Sequence, residues 1–365
     1  MNTQNTAKVT KETKRRIRAE FDRTPLKERM KAKFLNLNFF VNIGWLIFRL
    51  VLLVGISYIV LFPFISKIAG SFMSPEDFVD VTVRLIPKNF TLDIYKAVFF
   101  ELDYGAAFLN TLLISLSSAL LQTLVCCLIG YGLAKFRFRG NSIVMLLVIL
   151  TMVVPHQTLQ LSMFMGFRYI DVMGILSFLS GGAAVVFLPS SFNTVLSGFN
   201  IMNMPEHGLN LLNTYWPLII LSSTGLAFKN GLYIFMLRQF FSGVPDALEE
   251  SAYIDGSGVY RTVVTIILPL SIPMMVTVFL FAFCWQWMDD FYTELFFTGK
   301  DFVLMPDLIT EIPTSLKIEY AGTNMYNAAI RNTCGIAIIL PLVVLYCFGQ
   351  NFLVQGIERS GLTAE

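Results

Sequence analysis

The sequence predicts an all-α polytopic membrane protein with six spanning helices, and three observations carry that prediction. Of its 365 residues 55% are hydrophobic and 14% charged, against about a quarter charged in soluble domains, and the mean hydropathy is +0.65. Charge-free windows recur at lengths near the roughly 20 residues that an apolar helix needs to cross a bilayer. These windows are continuous rather than alternating, which excludes a transmembrane barrel. The same composition, with two His in the whole chain, excludes a disordered chain, a nucleic-acid-binding domain and an ordinary soluble enzyme.

Residues 1–33 hold 11 Lys or Arg against 4 Asp or Glu, and the remainder holds 16 against 21. A basic, polar stretch before the first apolar run belongs in the cytoplasm. It is too long and too charged for a secretory signal and reads as a solvated tail resting on anionic lipid. The first helix is expected at 45–69, around the window between Arg49 and Lys67. The acidic loop at 67–103 suits the outside. The second helix is expected at 106–134, closed on the inside by Lys135, Arg137 and Arg139. The third is expected at 141–165.

The next window, Val172–Pro205, contains Gly181-Gly182, Pro189, Asn193 and Asn200. Such breakers leave backbone groups unpartnered in lipid, so the stretch at about 170–207 reads as an extracytoplasmic insertion, with a re-entrant hairpin as the alternative. The fourth helix, 213–238, runs past Lys229, whose long side chain is expected to snorkel to the cytoplasmic edge. The fifth and sixth fall at 268–296 and 329–354. Six crossings place both basic loops inside. The chain then divides into a basic cytoplasmic segment (1–44), one membrane domain (45–356) and a cytoplasmic tail (357–365). Cys126, Cys127, Cys284, Cys334 and Cys347 all lie in apolar stretches with no C-x-x-C spacing, and read as free, buried packing thiols.

The inside loop at 239–268 is the most informative stretch. Pro245 suits the first turn of a helix, and Asp246 and Glu249 suit its positive end. Leu248, Ala252 and either Ser251 or Ile254 form one small apolar face, and Gly256 follows Asp255 where a terminal glycine should stand. A second helix starts near Gly258, and Pro269 and Pro273 mark its entry into the membrane. A short helix with its own start and stop signals is a poor lipid anchor and a good plug for a partner's groove; a solvated surface helix is the alternative.

Here the chain resembles a family. Glu249–Gly256, EESAYIDG, followed by LPLSIP at Leu268–Pro273, looks like the EAA loop of ABC importer permeases. Glu250, Ser251, Ala252, Gly256, Ile266, Leu268 and Pro269 occupy the pattern's places, with Ser251 where the family has its first Ala. Other stretches resemble the carbohydrate importers, and most of all the smaller permease subunit of the maltose type. They include GYGLAKFRFRG at Gly130–Gly140, NTYWPLII at Asn213–Ile220 and WQWMDDF at Trp285–Phe291. The resemblance covers about residues 45–360, leaving out the basic N-terminus and the 170–207 insertion.

The resemblance implies the type I ABC importer permease fold, six transmembrane helices with a cytoplasmic coupling helix, in the prokaryotic cell membrane with both termini cytoplasmic. It implies a pore shared with a second permease subunit, two ATPase subunits below, and a solute-binding protein delivering a sugar or oligosaccharide from outside. No cofactor is expected on this chain, and ATP and Mg belong to the ATPase partners. Gly299-Lys300 lacks the rest of a Walker A pattern. The implied ATPase-coupling residues are Glu249, Glu250, Ser251, Ala252, Asp255, Gly256, Leu268 and Pro269, with Glu250 in a charge-assisted contact to a partner arginine.

Polar groups that interrupt the spans are candidates for the pore: Asn110, Asn230, Gln286 and Asp289, with Trp285, Trp287 and Tyr292 as rings able to stack on a sugar. The alternative for these residues is an interfacial aromatic belt with helix-to-helix hydrogen bonds. No catalytic triad or metal motif appears, and His156 and His207 have no partner at ligand spacing. A permease for a non-sugar solute and an autonomous secondary transporter remain the competing readings, though the broken helices and repeats of the latter are not evident.

Overall fold

The computed structural model describes residues 37–168, 210–299, 302–318 and 322–361. The basic stretch before residue 37 and the expected insertion at about 170–207 lie outside these. Among the described residues the regular elements are helices, with one isolated bridge between Met73 and Phe90. The chain separates into two compact units, Met1–Lys67 and Ile68–Glu365.

Helix α1, Leu37–Gly70, begins eight residues before the expected position 45 and contains Pro63. Its side chains from Trp45 to Leu61 are exposed apart from Ser57, an apolar surface suited to lipid. In the second unit, α2 (Asp93–Phe100) leads into α3 (Tyr104–Lys135). Ala107, Thr111, Ser115, Ala119, Cys126 and Gly130 are buried along α3 at helical spacing. Small residues there let neighbouring backbones come close. A Cβ on Gly130 would sit 2.9 Å from Leu237 Cβ and 3.0 Å from the Arg238 nitrogen.

The expected third helix is broken. Helix α4 covers Asn141–Val153; Pro155 follows, and the chain turns by 96° into His156–Arg168, whose last part is α5, Gln160–Arg168. Proline has no amide to donate and pushes the residue before it out of the helical region, and Val154 sits at ψ 120°. The expected fourth helix is broken too, into α6 (Trp216–Thr224) and α7 (Asn230–Ser242). Gly225, at φ +75°, ends α6, and Lys229, at φ +67°, precedes α7.

A short α8, Asp246–Ile254, lies in the loop at 239–268. Helix α9, Val259–Trp287, starts nine residues before the expected 268. It begins beside Gly258, where the second helix of the loop is expected, and Pro269 and Pro273 lie inside it. The turn at Val263–Ile267 widens to a π-helix, which gives the Pro269 ring room against the preceding carbonyls. The chain breaks again after Trp287 and resumes as α10, Phe291–Phe296, so the expected helix at 268–296 is two elements. Helix α11, Thr323–Gly361, outruns its expected 329–354 at both ends. Among the described residues four unbroken helices are long and apolar enough to cross a bilayer, and the bent α4–α5 stretch makes a fifth at most.

Helix α3 is the hub, with α6, α7 and α9 against it and α11 against α9. Tyr233 and Leu237 of α7, Met274 and Val278 of α9, and Ile330 and Cys334 of α11 form the core. Cys126, Cys127 and Cys334 are buried and Cys284 half-buried, but Cys347 is exposed, contrary to the expectation that all five pack inside. Its position on α11 faces outward.

Candidate functional site

Two places in the second unit collect the candidate residues. The first is the loop at 239–268. Pro245 caps α8 from just outside it, and Gly256, at φ +82°, ends it. The Gly256 amide donates to the Tyr253 carbonyl at 3.0 Å and the Ser257 amide to the Ala252 carbonyl at 2.9 Å. These two bonds form a Schellman stop, which needs a left-handed residue at that position.

The inner face of α8 consists of Glu249 and Ala252, both buried. Lys135, at the last turn of α3, clamps this face. Its Nζ donates to the Val244 carbonyl and to Asp246 Oδ1, both at 2.6 Å, and lies 3.7 Å from Glu249 Oε1. Tyr131, one turn earlier, donates its hydroxyl to Glu249 Oε2 at 3.3 Å. The hydrogen bond and charge of Lys135, with a smaller contribution from Arg137, hold the Asp246 carboxyl below the ordinary carboxylate range.

Glu250, Ser251, Asp255 and Gly256 are exposed, whereas Glu249 is 9% exposed. The two adjacent glutamates thus face opposite ways, Glu249 into its own chain and Glu250 outward. Ser251 donates back to the Ala247 carbonyl at 2.7 Å. Leu268 is half-buried and Pro269 exposed, between two and three turns into α9. Ile254, which the spacing allowed on the inner face, is 86% exposed, and Tyr260 is 90% exposed. With Leu248 and Tyr253 they make the outer surface of the loop partly apolar. Sequence spacing does not reveal the Lys135 clamp, because its carboxylate partners are 111 or more residues away.

The second place is where the broken helices meet. Val154 to Gln157, past the end of α4, and Gly225 to Lys229, ahead of α7, line a cavity of about 340 Å³, within the usual range of ligand pockets. A Cβ on Gly231 would touch Thr151 Oγ1 at 2.5 Å, so only a glycine lets α7 lie this close to α4. His156 meets Phe228 edge-on, with centroids 4.4 Å apart. Lys229 does not snorkel to the edge. Its ammonium is held over the rings of Phe228 at 4.5 Å and Trp285 at 4.6 Å.

The candidate pore residues divide into structural and available groups. Trp287 is fully buried, wedged against Phe108 and Phe283, and donates Nε1–H to the Ile338 carbonyl at 3.0 Å. Tyr292 is also buried, stacked on Phe296. Neither ring offers a free face to a sugar, which corrects that expectation; both pack on protein. Asn110 donates to the Val303 carbonyl at 3.1 Å, a strut to the segment after residue 302. Asp289 accepts the Tyr292 amide at 3.1 Å and so starts α10. Trp285 remains half-exposed and Gln286 half-buried. Asn230 is 1% exposed, and neither its side-chain nitrogen nor its oxygen has a hydrogen-bond partner. Among the described residues no group of three or more His, Cys, Asp or Glu is placed to hold a metal.

Residues 127–359 match the family model described as the binding-protein-dependent transport system inner membrane component. The chain is similar to the alpha-glucoside transport system permease protein AglG of Rhizobium meliloti, 28% identical over 74% of this chain and 60% of that one. It is 27% identical to the maltodextrin transport system permease protein MalD of Streptococcus pneumoniae, over 85% of this chain and 92% of that one. A crystal structure of a bacterial ABC transporter involved in the import of the acidic polysaccharide alginate contains a chain of the same fold. That likeness has a TM-score of 0.59 at 17% identity, covering 85% of this chain and 97% of the other.

Proposed function

Because the chain belongs to the family of binding-protein-dependent transport system inner membrane components, we propose that it is the permease subunit of an ATP-driven saccharide importer and forms half of its pore. Relatives named for alpha-glucoside and maltodextrin transport support the saccharide class. The family is a transport component, so the chain carries no chemistry of its own. ATP and Mg belong to two ATPase subunits, a second permease subunit completes the pore, and an extracytoplasmic binding protein delivers the substrate. The termini are cytoplasmic, on the side of the loop at 239–268.

The observation that carries this reading is the mounting of α8. Lys135 ties Asp246 and Glu249 to the end of α3, while Glu250, Tyr253 and Ile254 remain open. A helix fixed to the core on one face and bare on the other transmits a push. Closure of the ATPase pair moves α8, and α7 and α9, which flank it in sequence, swing the pore between its two states. Glu250 supplies a charge-assisted contact to a partner arginine, Ser251, Asp255 and Gly256 let that partner approach, and Ala252 seats the helix on its own chain. Leu268 and Pro269 pass the movement into α9.

The test is to isolate the tagged chain from its host in mild detergent and identify by mass spectrometry what accompanies it. A second multi-span subunit, an ATPase and a saccharide-binding protein are expected. Glu250→Arg and Gly256→Asp should abolish uptake while the subunit stays in the membrane. A chain that is recovered alone and still moves solute in vesicles would refute the reading.

A further inference from the structure

We propose that Lys229 is the recognition point for a carboxylate-bearing saccharide on the transport path; the inference rests on the saccharide-importer reading and narrows its substrate class. The 13 residues of α7 put about 20 Å between Lys229 and the far end of that helix at Ser242. That distance exceeds the reach of a lysine side chain. The ammonium therefore has to be compensated at its own depth, where an unpaired charge is costly.

Its own chain compensates it only in part. The rings of Phe228 and Trp285 lie at 4.5 and 4.6 Å. Among the described residues Nζ donates no hydrogen bond, and no carboxylate lies within ion-pairing distance. Asp289, which borders the same Phe228 and Trp285 rings, accepts the Tyr292 amide and makes no ion pair with Lys229. All three ammonium donors are unspent, and Lys229 lines the cavity of about 340 Å³ between the two helix breaks.

The surroundings choose the ligand. The first amides of α7 add positive potential beside the ammonium, which favours an anion. Trp285 lies under the ammonium, is 49% exposed and borders the charge from outside the lining of that cavity. An anionic group on Nζ and a sugar ring on Trp285 satisfy both features together. A neutral hydroxyl would leave the charge uncompensated, and a small inorganic anion would leave the ring face unused.

The experiment uses the whole importer, with its binding protein, in proteoliposomes. It is offered a pool of short uronate-containing oligosaccharides and the same pool after reduction of its carboxylates to alcohols. Contents are read by mass spectrometry. The wild type should accumulate acidic members. Their uptake relative to the reduced pool should fall by about tenfold or more in K229M, as when one partner of a desolvated charge pair is removed, and return in K229R. A ratio unchanged in K229M overturns the proposal. So does a parallel loss of both pools or of the assembled complex, which would assign Lys229 to an ion pair with the sister subunit. Uptake of the reduced pool alone by the wild type refutes the anion while leaving the saccharide reading intact. If neither pool enters while another solute drives ATP hydrolysis, both fail.

Discussion

The ammonium of Lys135 lies 2.6 Å from the carboxylate of Asp246, joining the last residue of α3 to the first residue of α8. The same nitrogen holds the Val244 carbonyl and faces Glu249. One buried cation therefore sets where α8 stands, and its removal should be felt there first. In Lys135→Met, Glu249 is left without its counter-charge. The local cost should be about 2 kcal/mol, less than for a deeply buried pair because Asp246 is exposed. Hydrogen exchange should show the α8 amides losing protection while those of α3 keep theirs, with ATP-driven uptake falling alongside.

The clamp also predicts a pH response. The folded-state carboxyl of Asp246 lies below its ordinary value because of Lys135. A depressed acid contributes stability above its unfolded value of about 4 and loses it as pH falls through the lower folded value. Protection factors of α8 should thus be flat from neutral pH down to about pH 5 and drop only in stronger acid. A loss near pH 6 to 7 would implicate another group.

Gly256 is demanded by its backbone angle and not by space. It sits at φ +82° with nothing within 4 Å of a built Cβ. Substitution by Val should destabilise the Schellman stop by about 1–2 kcal/mol, whereas Asn, which tolerates the left-handed region, should cost less. Thermal unfolding of the purified subunit and uptake should rank Gly, Asn, Val in that order.

Gly130 and Gly349 make opposite cases of close contact. A Cβ at 130 meets the Arg238 backbone nitrogen at 3.0 Å, while one at 349 meets only the end of the Leu280 side chain at 2.7 Å. Backbone has nowhere to go, so Gly130→Ala should lower stability by about 1–3 kcal/mol. Gly349→Ala, where a leucine rotates away, should lower it less. Equal thermal shifts would contradict this account of the α3–α7 contact.

The two tryptophans of α9 should separate stability from transport. Trp287→Ala removes a buried ring and its hydrogen bond to Ile338 and should cost about 3–5 kcal/mol, seen as poor recovery of the subunit. Trp285→Ala removes a half-exposed ring and should leave recovery near normal while weakening uptake. The reverse pattern would place Trp285 in the core.

Much of this protein was legible before its structure. Charge-free windows set the membrane class, because a backbone in lipid must satisfy itself in helices. Pro245 and Gly256 bounded the loop helix correctly, because starts and stops are local backbone chemistry. The loop's resemblance to the EAA pattern pointed to the family that residues 127–359 match. The breaks were in part legible also: Pro155 and Gly225 are marked residues, but a sequence window that counts charges passes over them.

What the sequence by itself determined is therefore the class of the protein, the approximate place of its helices and the presence of a capped helix between two of them. The tertiary structure decided which of two adjacent glutamates turns inward, which of two tryptophans is core, and that Lys229 stays between two rings instead of reaching the membrane edge. Each of those outcomes depends on a group far away in the chain: Lys135 for Glu249, Ile338 for Trp287, Trp285 for Lys229. Hydrophobic period fixes what a segment is; only packing decides which neighbours its polar and aromatic side chains meet.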